Sequence, residues 1–278
     1  MLFDRVAKDF SKKVTTTYST SFSIGISLLD QGIRDDIYAI YAFVRFADEI
    51  VDTFHFYDKR SLLEDFCKQT YMAVSQKISM NPVLHQFQQT VNKYQIDSEL
   101  IDAFLNSMKM DLDFACHSQS SYEEYIVGSA EVVGLMCLKV FVQGDQSLYC
   151  SLTPYARRLG AAFQKVNFLR DIKADAMGLG RQYFPTWKEG EPFDEIIKQQ
   201  VLYDIREDFK IAREGICKLP IGCKVGVYAA YVYYKALLLK IGNTPSSQLM
   251  EARIRVDNFS KLLLLCYAGV RVKLNYVR

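Results

Sequence analysis

Residues 159–185 read LGAAFQKVNFLRDIKADAMGLGRQYFP, and the order of polar and apolar positions in this stretch decides the fold. Gln164, Asn167, Asp171 and Asp175 are spaced by three, four and four residues. On a helix that spacing gathers them into one stripe roughly 80° wide, at about 100° per residue. Ala161, Ala162, Val166, Phe168, Leu169 and Ile172 fill the positions between, so a helix here is buried on much of its surface. Gly178 and Gly180 end the pattern. All four members of the stripe offer oxygen.

A second acidic stripe lies upstream. Residues 38–52 read YAIYAFVRFADEIVD, and Tyr41, Arg45, Asp48 and Asp52 fall within roughly 60° on a helix. Asp48 and Asp52, four apart, point the same way, which destabilises a helix slightly unless a cation stands between them. An isolated pair of this kind is most simply a solvated acidic edge. Two such stripes on separate apolar helices suit magnesium, which takes one or two carboxylates and completes its octahedral shell with water and phosphate oxygens. With no His or Cys in the stripe, zinc and copper are poor fits, and the Glu-x-x-His pairs of a di-iron bundle are absent. Arg45, Arg170, Lys173 and Arg181 flank the acids. Arginine grips phosphate in bidentate fashion, so metal and arginine together suit a diphosphate leaving group. Arg157 and Arg158 are expected at the surface.

The same helical spacing runs through most of the 278 residues, as in Ile101, Phe104, Leu105, Met108, Leu112 and Ala115. It predicts helices near 3–15, 34–54, 59–77, 82–94, 97–116, 121–143, 147–177, 193–217, 221–241 and 248–274. Prolines 82, 154, 185, 192, 220 and 245 punctuate the chain, and Pro154 opens or bends a helix. No linker or repeat divides it, so residues 1–278 read as a single all-α domain. A net charge of +2 lacks the basic footprint of a nucleic-acid binder. Seven scattered cysteines without a CxxC pair read as reduced thiols, and the N-terminus has no signal-peptide core, so a soluble cytoplasmic protein is expected. Tyr125–Val142 approaches membrane-span length, but Glu131 and Lys139 argue for a buried core helix.

The 159–185 segment resembles the signature of the squalene and phytoene synthases, Gly-x-x-x-Gln-x-x-Asn-x-x-Arg-Asp-x-x-x-Asp followed by Arg-x-Tyr-x-Pro. Gly160, Gln164, Asn167, Arg170, Asp171, Asp175, Arg181, Tyr183 and Pro185 meet it. YIVGSAEVVGLM, Tyr125 to Met136, is similar to the family's other signature helix. Arg45, Asp48 and Asp52 match its first aspartate motif, and Tyr18-Ser19-Thr20-Ser21-Phe22 its N-terminal substrate loop. The overall pattern is most similar to bacterial phytoene synthases.

The resemblance implies an isoprenoid-synthase-type helical bundle around a central apolar cavity. It implies head-to-head condensation of two geranylgeranyl diphosphates through a cyclopropyl diphosphate to phytoene. Magnesium, with manganese as the alternative ion, would be bound by Asp48, Asp52, Asn167, Asp171 and Asp175. Tyr18, Ser19, Thr20, Ser21, Tyr41, Arg45, Gln164, Arg170 and Arg181 would bind substrate, and Tyr41 would act beside the four aspartates in catalysis. No NADPH requirement is expected, since no dinucleotide fingerprint occurs. The implied partners are two prenyl diphosphates, with peripheral membrane contact for product release. Squalene or dehydrosqualene synthesis from two farnesyl diphosphates is the alternative. A non-catalytic relative acting in assembly or lipid binding is the alternative of another class, and retention of all four aspartates argues against it. Glu131 departs from the pattern at a position expected to be small or neutral, facing either the cavity or solvent, with solvent preferred. Met110-Asp111-Leu112-Asp113 is read as structural, because acids two apart diverge on a helix.

Overall fold

The computed structural model describes residues 1–113, 116–274 and 277. Among these there is no strand, only an isolated bridge between Cys116 and Gln182. The helices are α1 (Leu2–Tyr18), α2 (Thr20–Ser27), α3 (Gln31–Thr53), α4 (Lys59–Gln76), α5 (Pro82–Tyr94), α6 (Ser98–Asp113), α7 (Gln119–Ile126), α8 (Val132–Val142), α9 (Gln146–Lys173), α10 (Glu195–Lys218), α11 (Ile221–Asn243), α12 (Ser246–Leu249) and α13 (Asn258–Lys273). Short π-helical segments, Val127–Glu131 and Ala174–Leu179, follow α7 and α9.

Local chemistry explains most boundaries. Asn81 caps α5 ahead of Pro82, whose fixed φ suits a first turn. Asp145, Asp194 and Asp257 accept backbone N–H bonds at the starts of α9, α10 and α13. Pro154 bends no chain path into a break: it lies inside α9 on an exposed position. Two expectations need correction. Helix α2 is absent from the predicted set, because TSFSIGIS is short and rich in Ser and β-branched residues, which are weak helix formers. The expected helix 248–274 is two helices, α12 and α13, separated by an irregular stretch. The end of the expected 97–116 helix, with Ala115 of its apolar pattern, and Arg278 lie outside the described residues.

Apolar faces from nearly all helices meet in one cluster running from Val14 to Val277. Its centre is aromatic: Phe43 stacks on Phe87 at 3.8 Å and tilts against Phe104 at 5.3 Å. The segment Gln119–Val142 is long and apolar enough to cross a membrane, but 61% of its apolar window is buried inside the protein, against α3, α6 and α9. It is a core element interrupted by a π turn. That turn lies close to its neighbours. A Cβ on Gly128 would meet the Ala103 carbonyl at 2.5 Å, and one on Gly160 of α9 would meet the Ala130 carbonyl at 2.5 Å. The signature glycine therefore sets how closely α9 approaches the Tyr125–Met136 helix. All seven cysteines are unpaired.

Candidate active site

A cavity of about 500 Å³ runs between α2, α3, α8, α9, α10 and α11. Its lining along α3 extends from Ile37 to Asp52, about 22 Å at 1.5 Å per residue. Along α9 it extends from Leu152 to Asp171. The aspartates sit at the C-terminal ends of both helices, so acids gather at one end and Leu29, Ile37, Leu152 and Ile216 line the other.

At the acidic end the two stripes meet. Asp175 feels both Asp171 and Asp52, and Asp48 feels both Asp52 and Asp111. Burial first, then Asp52, pushes the Asp48 carboxyl up to about 7. Burial, then Asp171 and Asp52, does the same for Asp175. Negative charge is therefore in excess here despite the arginines. Asp175 opens the second π segment, where Gly180, at φ 67°, allows the chain to turn back and Arg181 N–H to bond the Asp175 carbonyl at 2.8 Å.

The arginines are distributed over both stripes. Arg181, buried, donates to Asp52 at 2.8 Å and to the Val51 carbonyl at 3.3 Å. It thereby ties the loop after the second stripe to the end of α3. Arg170 donates to Asp171 at 2.6 Å. Arg253, from the irregular stretch before α13, reaches Asp171 at 2.6 Å. Arg45 donates to Glu49 at 2.5 Å, lies 3.9 Å from Asp48 and rests on the Tyr18 ring. Its Nε is buried with no hydrogen-bond partner, a donor free to meet an anion. Burial pushes the Tyr234 hydroxyl up to about 12, so it stays protonated and donates to Asn167 Oδ1 at 3.1 Å. Burial raises the Tyr41 hydroxyl above its usual value, so it stays protonated as a donor.

Thus Tyr18, Ser19, Ser21, Tyr41, Arg45, Asp48, Asp52, Gln164, Asn167, Arg170, Asp171, Asp175 and Arg181 all line one cavity. Thr20 does not. It is exposed, and its hydroxyl accepts from Lys261 at 3.2 Å, because consecutive residues at a helix start face different ways. Glu131 faces neither cavity nor open solvent, pairing with Arg157 at 2.9 Å. Arg158 is half exposed, as expected, but its guanidinium reaches the buried Asp208 at 3.0 Å.

Asp111, read from sequence as structural, lines the cavity. It accepts from Tyr125 at 2.8 Å and Tyr183 at 3.2 Å, and lies 3.7 Å from Arg181. Burial raises it to about 6, partly offset by Arg181 and the tyrosine hydroxyls. Asp111 and Asp113 do diverge: Asp113 pairs with Arg60 outside. The missed signal was that Asp111 continues the buried Phe104–Met108 face, where an acid needs partners.

The acidic donors are all oxygen, as a hard cation requires. Among the described residues no three carboxylates are close enough to enclose an ion by themselves.

An all-α bundle with two aspartate-bearing helices and arginines at one end of an apolar cavity defines the class of the protein. More narrowly, the chain belongs to the squalene/phytoene synthase family, whose model matches residues 15–260. The phytoene synthase of Cereibacter sphaeroides is 26% identical over 254 residues, covering 82% of this chain and 70% of that one. The presqualene diphosphate synthase of Sinorhizobium fredii is 30% identical over 173 residues, covering 62% and 60%. A crystal structure of a dehydrosqualene synthase in complex with ligand shares the fold, with a TM-score of 0.81, 19% identity and coverage of 97% and 98%.

Proposed function

We propose that the protein is a prenyltransferase that joins two geranylgeranyl diphosphates head to head, through a cyclopropyl diphosphate, to phytoene. The observation that carries this reading is the convergence of Asp48, Asp52, Asp171 and Asp175, with Arg45 and Arg170, at one end of an elongated apolar cavity. Diphosphates belong at that end and prenyl chains along the rest. The C20 assignment is supported by the phytoene synthase relative, which covers most of this chain.

Asp48, Asp52, Asn167, Asp171 and Asp175 would hold magnesium, which when bound neutralises charge developing on a departing diphosphate. The chain's own residues bind and orient. Arg45 offers its free Nε–H to a diphosphate oxygen, and Arg170 and Arg253 exchange their Asp171 contacts for phosphate oxygens. Ser19, Ser21 and Tyr41 add hydroxyl donors at the same end. The apolar wall excludes water from the allylic cation, so the double bond of the second substrate is the nucleophile present. Gly226 lets α11 pack closely on α2, since a Cβ there would meet the Gly25 carbonyl at 2.6 Å, and a Cβ on Gly215 would meet Tyr155 at 2.2 Å.

The test is incubation of the purified protein and magnesium with labelled C15 or C20 diphosphate, with and without NADPH. A C40 hydrocarbon formed without NADPH is expected. A C30 product would overturn the substrate assignment, and no product from either would overturn the enzymatic reading.

A further inference from the structure

Helix α13 is apolar on both of its faces. Inward, Ala268 and Val272 are buried, and Leu264 and Leu265 pack against the core. Outward, Phe259, Leu262, Leu263, Tyr267, Val270 and Leu274 are each 48–71% exposed. At about 100° per residue these six span a sector of roughly 140°, interrupted only by Cys266 and Lys273. A helix covering a core normally turns polar residues to water. Helix α10 does so with Gln199, Gln200, Arg206, Lys210 and Glu214, exposing two large apolar residues, Ile196 and Tyr203, against six on α13. A continuous exposed apolar stripe on α13 is the kind of surface that marks an interaction site.

Charge indicates which partner. Residues 231–278 hold eight basic residues against two acidic ones, a net +6, so residues 1–230 carry −4 of the chain's +2. Several of these cations frame α13. Lys240 donates to the Arg255 carbonyl at 2.7 Å, placing both near the segment that leads into the helix. Arg271 lies over the Tyr267 ring, and exposed Lys273 stands within the stripe. Two copies meeting through this face would bring like charges together, whereas an anionic bilayer offers acyl chains to the stripe and phosphates to the cations.

We infer that the outward face of α13 docks this protein on an anionic lipid surface, lying in the headgroup plane without spanning the bilayer. Tyr267 and Lys273 suit that depth, each pairing an apolar body with a polar tip. Helix α13 approaches the α2 wall of the cavity through the side opposite its exposed stripe. Lys261, in the first turn of α13, reaches Thr20, which is flanked by the cavity-lining Ser19 and Ser21.

The test is flotation of the full chain with vesicles in the absence of substrate, so its outcome is independent of the reaction assigned above. Flotation with phosphatidylcholine–phosphatidylglycerol vesicles, weakened by salt, and little flotation with phosphatidylcholine alone are expected. The double variant Leu263→Glu, Val270→Glu should lower the bound fraction about tenfold or more, with helical circular dichroism unchanged, because both side chains are exposed. Undiminished flotation of the double variant would overturn the inference. So would absence of wild-type flotation on anionic vesicles, or a wild-type dimer in sedimentation that the double variant abolishes.

Discussion

Helix α9 carries buried charge on two faces, about 120° apart, and they are neutralised differently. On one face Lys165 donates to Asp208 at 2.8 Å and to Asp204, while Arg158 reaches Asp208 from the other side. Two cations meet two acids, all from α9 and α10. On the other face Asp171 and Asp175 join Asp48, Asp52 and Asp111, and there burial and like charge drive three carboxyls up to about 6 or 7. The first cluster is complete within the protein. The second is incomplete without a cation or a proton, and an open cavity lies beside it. Buried acidity by itself is a packing problem that salt bridges solve; acidity left uncompensated beside a cavity indicates a ligand.

The sharpest way to break this distinction is to exchange effects between the faces. Asp171→Ala should lower turnover by about 10³-fold or more while leaving the helical spectrum unchanged. Unchanged activity would remove the metal assignment. Lys165→Met should do the opposite. It leaves Asp208 buried with only the half-exposed Arg158, and should cost about 3 kcal/mol in urea unfolding. Activity per folded molecule should stay within about threefold.

Proton linkage offers a graded version of the comparison. Asp48 and Asp175 are raised from 3.8 to about 7, and Asp111 to about 6. Between about pH 4 and 7 the metal-free native state therefore binds more protons than the unfolded chain, and stability falls as pH rises through that window. Magnesium must displace those protons, so its stabilising effect should grow over the same window. Melting temperatures at pH 5, 6, 7 and 8, with and without magnesium, check both signs. A pH-independent magnesium effect would show that these carboxyls do not bind the ion. The smallest effect concerns the N-terminal loop. Thr20→Ala should change kcat/KM by less than about twofold, since Thr20 meets Lys261 outside the cavity. Ser19→Ala should cost more, because Ser19 lines the cavity and also caps α2.

Much of this contrast was legible in the sequence. Spacings of three and four placed Gln164, Asn167, Asp171 and Asp175 on one face, and that face lines the cavity. The meeting of Asp52 with Asp175 was implied by the family resemblance but not by spacing, because it depends on the π segment and the turn at Gly180 that bring Arg181 back to α3. The approach of Arg253 to Asp171 required the chain to leave helical geometry between α12 and α13, where apolar periodicity suggested one continuous helix. Asp111 shows the limit of local geometry. Its divergence from Asp113 was read correctly, but the tyrosines that receive it come from positions 14 and 72 residues away.

The central claim is that the α3–α9 acidic cluster is completed by magnesium and a diphosphate. Calorimetric titration of magnesium into the protein, with and without a non-ionising prenyl thiodiphosphate, tests it most directly. The account predicts weak magnesium binding alone, strong binding with the analogue, loss of that binding in Asp48→Asn and Asp171→Asn, and retention in Lys165→Met. Equal binding by the wild type and both aspartate variants would contradict it.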